Sequence, residues 1–425
     1  VNGILAVPLE IRLAVLFALG VVAGVLANVA IYRLAWNRRP IGPWLAPSPE
    51  ASPRRWFDRL PVLGWFGLRR EATLHGPGYW IRPLAVEVFF GLVAAALYWW
   101  EIARSGLMHP HAPDWVGAVF AARLHAEYAS HVTLFWFMLV ASLIDLDEKT
   151  IPDAITVPGT LVGLSIAAAC PFALLPVPWF WPPGVLPQRA DFGFMTLVSP
   201  HLWITWVEDL ATWGMALVAL GCWWLWCVAL MHRTWYARHG WCRAVGLMLA
   251  RLGRTPTTWR IVGMGLAGTL VIAALWAGGG LRWVAVLTSL VGMGAAASVI
   301  WAVRILGSAV LQREAMGFGD VTLMAMLGAF LGWQASLMVF FLAPLAGIAI
   351  GLPMLVFRRE AEIPYGPFLC LAAAAVVVFW SPLWNLVQPY FLVLGGWIPA
   401  FVVACLAMLP LLLWLIRGMR RVLSI

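Results

Sequence analysis

Long apolar runs separated by short polar elbows dominate this chain. Windows long enough to cross a bilayer as a helix, roughly twenty residues each, fall near 11–35, 84–100, 130–146, 154–178, 211–231, 260–277, 283–305, 321–335, 337–357, 367–380 and 391–416. They predict an all-α, polytopic transmembrane helical bundle of about eleven helices, because lipid leaves a spanning backbone no partner outside its own helix. The window after Asp320 is the shortest and reads as a partial or tilted span. No internal repeat is evident. The first run lacks a small-residue cleavage site followed by a soluble domain, so it reads as a retained helix rather than a secretory signal. The segment 176–201 is rich in proline and aromatic residues and is expected to be extended at the membrane interface.

Arginine placement orients the bundle. With the N-terminus outside, the loop from about 36 to 82 is cytoplasmic and carries Arg38, Arg39, Arg54, Arg55, Arg59, Arg69, Arg70 and Arg82. The loop after the fifth window, with Arg233, Arg238, Arg243, Arg251 and Arg254, also falls inside, as do Arg304, Arg358 and Arg417. Outer loops hold few arginines, among them Arg104 and Arg189. One alternation therefore satisfies the positive-inside rule and places the C-terminus in the cytoplasm.

Composition agrees. The chain is 63% hydrophobic and 11% charged, far from the roughly one quarter charged that soluble domains carry. The net charge of +9 sits in loops between apolar runs. That placement fits membrane lipid headgroups and gives no reason to expect nucleic acid. Lysine occurs once, at Lys149. The six cysteines form no CxxC pair, and most lie inside apolar segments, so neither a metal site nor a disulfide framework is expected.

Two aspartates carry the candidate chemistry. Asp145 ends the apolar run that leads into Leu146-Asp147-Glu148-Lys149-Thr150, and Asp320 ends Gly317-Phe318-Gly319-Asp320 and opens another apolar run. A carboxylate at membrane depth costs several kcal/mol unless it is paired, protonated or wet, so each asks for a reason. The orientation above brings both to the cytoplasmic leaflet. Asp147 and Glu148 read as solvated interfacial charges, and Asp153, after Pro152, as a cap for the next helix. Gly317 and Gly319 permit a tight turn before Asp320, although an ordinary N-cap would explain the same tetrapeptide. Two carboxylates in one pocket do not both ionise easily, so they can share a proton and act as an acid–base pair on water and a peptide carbonyl.

These residues resemble the type 4 prepilin peptidases, membrane aspartyl proteases of the GxGD class. The similarity rests on IDLDEKTIPD and the downstream GFGD, supported by Gly24 to Leu34 with Asn28, by Leu60 to Trp65 and Tyr79 to Glu87, by Leu323 to Trp333, and by Ile363-Pro364-Tyr365-Gly366-Pro367-Phe368. Together these motifs extend over about two thirds of the chain. The resemblance implies cleavage of the short basic leader of prepilins or pseudopilins by Asp145 and Asp320 at the face of the bacterial cytoplasmic (inner) membrane. It also implies a place in type IV pilus or type II secretion assembly. Gly317 and Gly319 would support the second aspartate, while Asn28, Asp153, Pro364 and Gly366 are substrate or structural candidates. Glu71 and Glu87 are further candidates to steer a basic leader. Proteolysis by such a dyad needs no cofactor or metal. Many relatives also methylate the new N-terminus with S-adenosylmethionine.

The sequence departs from that pattern in three ways. The first cytoplasmic loop has no cysteine, where many relatives carry paired CxxC motifs, which puts methylation in question. Residues 179–282 read as an insertion with two extra helices between an N-terminal part, 1–178, and a C-terminal part, 283–425. A further helix follows the Pro364 region. Two other readings stay open: an inactive paralogue serving as a scaffold in pilus or secretion assembly, and an ion-coupled transporter using the two aspartates.

Overall fold

The computed structural model describes residues 2–39, 41–44, 49–108, 121–178, 192–200, 210–231, 253–312, 314–358 and 364–422, with the isolated Gly246 and Ala250. Its main helices are α1 (Leu9–Leu34), α2 (Ile81–Tyr98), α3 (Ala121–Glu148), α4 (Asp153–Ala169), α5 (Trp213–Leu230), α6 (Pro256–Gly278), α7 (Gly280–Leu311), α8 (Phe318–Arg358), α9 (Gly366–Val378), α10 (Trp380–Leu394) and α11 (Ile398–Val422). Eight spans among the described residues are long and apolar enough to cross a membrane, and α4 and α9 are shorter apolar helices. The expected all-α membrane architecture is therefore what the chain adopts. A two-stranded antiparallel hairpin, Pro176–Pro178 with Phe192–Phe194, is the sheet in the described part. It falls within the segment expected to be extended. Residues 179–191 of that segment, the loop arginines Arg189, Arg233, Arg238, Arg243 and Arg251, and Ile363 lie outside the described residues.

Three boundaries differ from the hydropathy windows, each for a physical reason. Helix α3 begins at Ala121, well before the apolar window, because its polar first turns are packed: Leu124, Glu127 and Tyr128 are buried, and Tyr128 Oη donates to Ala94 O of α2 at 3.0 Å. Helix α4 stops at Ala169, and Pro171, which cannot continue it, opens a 3-10 turn. The last window divides into α10 and α11 at Gly395, whose φ of 50° a helix interior does not allow.

Helix α8 covers two windows and is broken at Gly332, with φ 77° and ψ 173°. Run straight, it would put Gly347 about 40 Å from Asp320. Instead a Cβ at Gly347 would lie 3.6 Å from the Phe368 ring, two residues beyond Gly366, which touches Asp145. The chain therefore doubles back at Gly332. Trp333 Nε1 donates to Leu197 O at 3.0 Å and Gln334 Nε2 to Thr196 O at 2.8 Å, tying down the turn at the far end from Asp320. Residues 321–332 are buried throughout, so the helix bearing Asp320 runs through the middle of the bundle.

Candidate active site

The elbow between α3 and α4 places the first carboxylate. Helix α3 ends where Lys149 takes φ 55° and its amide donates back to Asp145 O at 2.8 Å. Pro152 then precedes the first residue of α4. Asp147 and Glu148 stay solvent-accessible at the elbow, as the sequence reading had them, and are also held in place. Arg82 clasps Asp147 at 2.6 and 2.8 Å, and Glu148 accepts the Trp36 and Asn37 amides, each at 2.7 Å. These contacts fasten the ends of α1 and α2 to the elbow and hold the last turn of α3 in place.

The second carboxylate sits in the first turn of α8. Asp320 is the third residue of the helix, and the backbone of Gly317, just before it, is its hydrogen-bond partner. That is one half of a capping box, a way of satisfying a free amide at a helix start. Gly319 is where glycine is required: a Cβ there would lie 2.9 Å from both Cβ and O of Ile151. Gly317 shows no such demand, since its nearest contact would be an ordinary 3.6 Å to Asp320 Oδ2. A hydroxyl chain secures the same turn: buried Thr156 donates to Thr322 Oγ1 at 3.0 Å, and Thr322 donates to Gly319 O at 3.0 Å.

Helix α9 closes the site. The Gly366 amide donates to Asp145 Oδ2 at 3.1 Å, and a Cβ at Gly366 would stand 2.5 Å from that oxygen and 2.7 Å from Ile151 Cδ1. Ile151 thus touches both Gly319 and Gly366, so the elbow, the start of α8 and the start of α9 converge on one side chain. Asp145 and Asp320 lie within coulombic reach of each other, both are buried, and both line one cavity of about 1120 Å³.

That cavity is acidic. Besides the two aspartates, Asp147, Glu148, Asp153 and Glu314 line it, against Lys149 and Arg304. Pro364 and Tyr365 form part of its wall. Two residues that sequence reasoning passed over belong to it. Tyr365 lay inside a quoted motif; burial and then the Asp320 carboxylate push its hydroxyl up to about 12, so it stays a neutral donor. Arg304 gave no local signal. Its Nε donates to Met316 O at 3.1 Å, Nη2 pairs with Glu314 at 2.7 Å, and the guanidinium lies 5.7 Å from the Phe318 ring centroid, which fixes the loop before Asp320.

Three other candidates lie away from this cavity. Asn28 Nδ2 donates to Pro83 O at 2.8 Å and Glu87 Oε1 at 3.2 Å, clamping α1 to α2. Glu87 also receives Trp65 Nε1 and the Val62 amide, each at 2.7 Å, and Glu71 pairs with Arg54 at 3.0 Å. Neither glutamate lines the cavity. They organise the loop between α1 and α2, where Arg70 grips Asp58 through an ion pair. No group of three or more metal-ligating side chains is present among the described residues.

The fold and site define a polytopic helical membrane protein with two carboxylates meeting at one end of the bundle. Residues 256–352, which contain Gly317, Gly319 and Asp320 but not Asp145, match the Type IV leader peptidase family. Similar proteins bear the name prepilin leader peptidase/N-methyltransferase. One from Burkholderia pseudomallei is 34% identical over 31% of this chain and 42% of its own length. Another from Aeromonas hydrophila is 32% identical over 31% of this chain and 48% of its own, and one from Pseudomonas putida is 28% identical over 32% and 52%. The chain thus spans about half the length of these relatives. The resemblance to type 4 prepilin peptidases is borne out by independent comparison. No solved structure matches the chain.

Proposed function

We propose that this protein is a membrane aspartyl endopeptidase that removes the basic leader of a prepilin or pseudopilin at the cytoplasmic face of the inner membrane. The observation that carries the reading is the convergence of Asp145 and Asp320 on one acidic cavity. In the reaction, the ionised member of the pair takes a proton from water while the protonated member donates to the scissile carbonyl. Water oxygen bonds to the carbonyl carbon, and the tetrahedral adduct collapses as the amine leaves with a proton returned by the pair. The two carboxylates exchange roles over the cycle, so neither role belongs to one residue. With Asp147 paired to Arg82, Glu314 to Arg304 and one proton shared by the dyad, the lining keeps a net negative charge from the dyad, Glu148 and Asp153 against Lys149, which favours a cationic peptide segment in the cavity.

Methylation of the new N-terminus is a secondary proposal and would call on S-adenosylmethionine. The acidic wall suits its sulfonium charge. Asp147, Glu148 and Glu314, however, are engaged with Arg82, two amides and Arg304. No cradle for the adenosine is recognisable among the described residues.

Co-expression with a pilin-like precursor, read by intact mass, tests both activities. Loss of the leader is expected. An additional methyl group would establish the second activity, and an unprocessed precursor would overturn the first.

A further inference from the structure

The carbonyl oxygen of a peptide bond under attack takes up negative charge, and in the proposed reaction the dyad has a single proton to offer it. A second donor, fixed beside the aspartates, would stabilise that charge without having to reorganise during the reaction. The first turn of α9 touches Asp145, and helix starts are common sources of such donors. Here its backbone has none to spare. The Gly366 amide is committed to Asp145 Oδ2, and Pro367 has no N–H. The Phe368 and Leu369 amides both return to Tyr365 O, at 3.0 and 3.2 Å.

The Tyr365 hydroxyl is the donor left on that wall. Tyr365 lines the same cavity as Asp145 and Asp320, and its hydroxyl makes no hydrogen bond to the protein among the described residues. Its placement is rigid. The residue caps α9 with φ −84° and ψ −27°, its carbonyl holds the two amides just named, and its half-buried ring packs against the core. Burial, and then the Asp320 charge, keep the phenol in its protonated, donating form. The cations of the cavity are less suited to the task. Arg304 serves Met316 O and Glu314, and Lys149 is exposed.

We infer that Tyr365 is a catalytic residue whose hydroxyl donates a hydrogen bond to the scissile carbonyl oxygen as that oxygen becomes negative. The inference rests on the peptidase reading proposed above and deepens it. A carbonyl oxygen has two lone pairs, so it accepts from the protonated carboxyl of the dyad and from the phenol together. The phenol keeps its own proton throughout. Water oxygen bonds to the carbonyl carbon, the water proton goes to the ionised carboxylate, and the amine leaves with a proton from the dyad when the adduct collapses.

The test uses the full-length protein in nanodiscs with a pilin-like precursor. Tyr365→Phe removes the hydroxyl and keeps the packed ring. Its kcat should fall about 100-fold, the scale of losing one such donor, with KM within about twofold and Tm unchanged. Both limbs of its kcat–pH profile should stay where the parent has them, because the phenol acts on the substrate and not through the dyad. Difluorotyrosine at position 365, a stronger donor of nearly the same shape, should match or exceed the parent kcat. A Tyr365→Phe kcat within about twofold of the parent overturns the inference and leaves the peptidase reading standing. So does a profile whose limbs move while the parent kcat returns at the new optimum, since the hydroxyl would then only tune Asp320. Should Tyr365→Phe fail to insert, the fluorinated residue decides, and a kcat below the parent's overturns the inference. A parent that leaves the precursor whole sinks the peptidase reading itself.

Discussion

The Gly366 amide donates to Asp145 Oδ2 at 3.1 Å across 221 residues of sequence. This one bond ties α9 to the end of α3, and the lack of a side chain at Gly366 lets the carboxylate approach so closely. Gly366→Ala is expected to lower the cleavage rate by roughly 100-fold, the scale on which an ångström of misplacement acts. Gly319→Ala should do the same by forcing α8 off Ile151. Gly317→Ala, whose new methyl meets only ordinary contacts, should keep most of the activity. Rates on a pilin-like precursor, normalised to inserted protein, separate the three.

The hydroxyl chain from Thr156 through Thr322 to Gly319 O supplies a second check. Each bond is worth about 1 kcal/mol. Thr322→Val removes both links and should destabilise more than Thr156→Val, which removes one. Thermal unfolding in detergent reads the difference, and the cleavage rate should fall in the same order.

The loop before Asp320 depends on Arg304. Arg304→Ala removes the donor to Met316 O and the partner of Glu314, so the rate should fall by about tenfold or more. Arg304→Lys keeps the charge but loses the fork that serves two acceptors at once. It should recover only part of the rate.

In the loop between α1 and α2, burial raises the Asp58 carboxyl, but the Arg70 hydrogen bond, the Arg55 amide and the nearby guanidiniums outweigh it and hold it below its usual value. A depressed folded-state pKa contributes stability that is fully present above the ordinary value of 3.8 and is lost as pH falls through the depressed one. Amide exchange in residues 54–71, corrected for intrinsic rate, should therefore accelerate below pH 3.8 and stay slow at pH 7. Asp58→Asn should show fast exchange already at pH 7.

Much of this was legible in the sequence because hydropathy and motif spacing are local. The apolar windows marked most of the helices, and the gap between 335 and 337 lies near the break at Gly332. Buried polar pairs hid what hydropathy could not see. Tyr128 donates to Ala94 O of α2 and Glu127 beside it is buried, so the first turns of α3, polar in sequence, are packed helix. The site was half visible: Asp145, Asp320, Gly319 and Gly366 stood in motifs, and the structure brings them together around Ile151. Arg304 and the Thr156–Thr322 bond could not be read, since their meaning lies in contacts across 12 and 166 residues. Asn28 was singled out by the family resemblance, and Glu71 and Glu87 as candidates to steer a leader; in the structure they brace α1, α2 and the loop between them.

The most direct test of the central claim compares the parent with Asp145→Asn and Asp320→Asn in membranes containing a pilin-like precursor. Each variant keeps its side-chain volume and should insert normally, yet leave the leader attached while the parent removes it. Cleavage at a near-parental rate by either variant would contradict the account, because one carboxylate would then suffice.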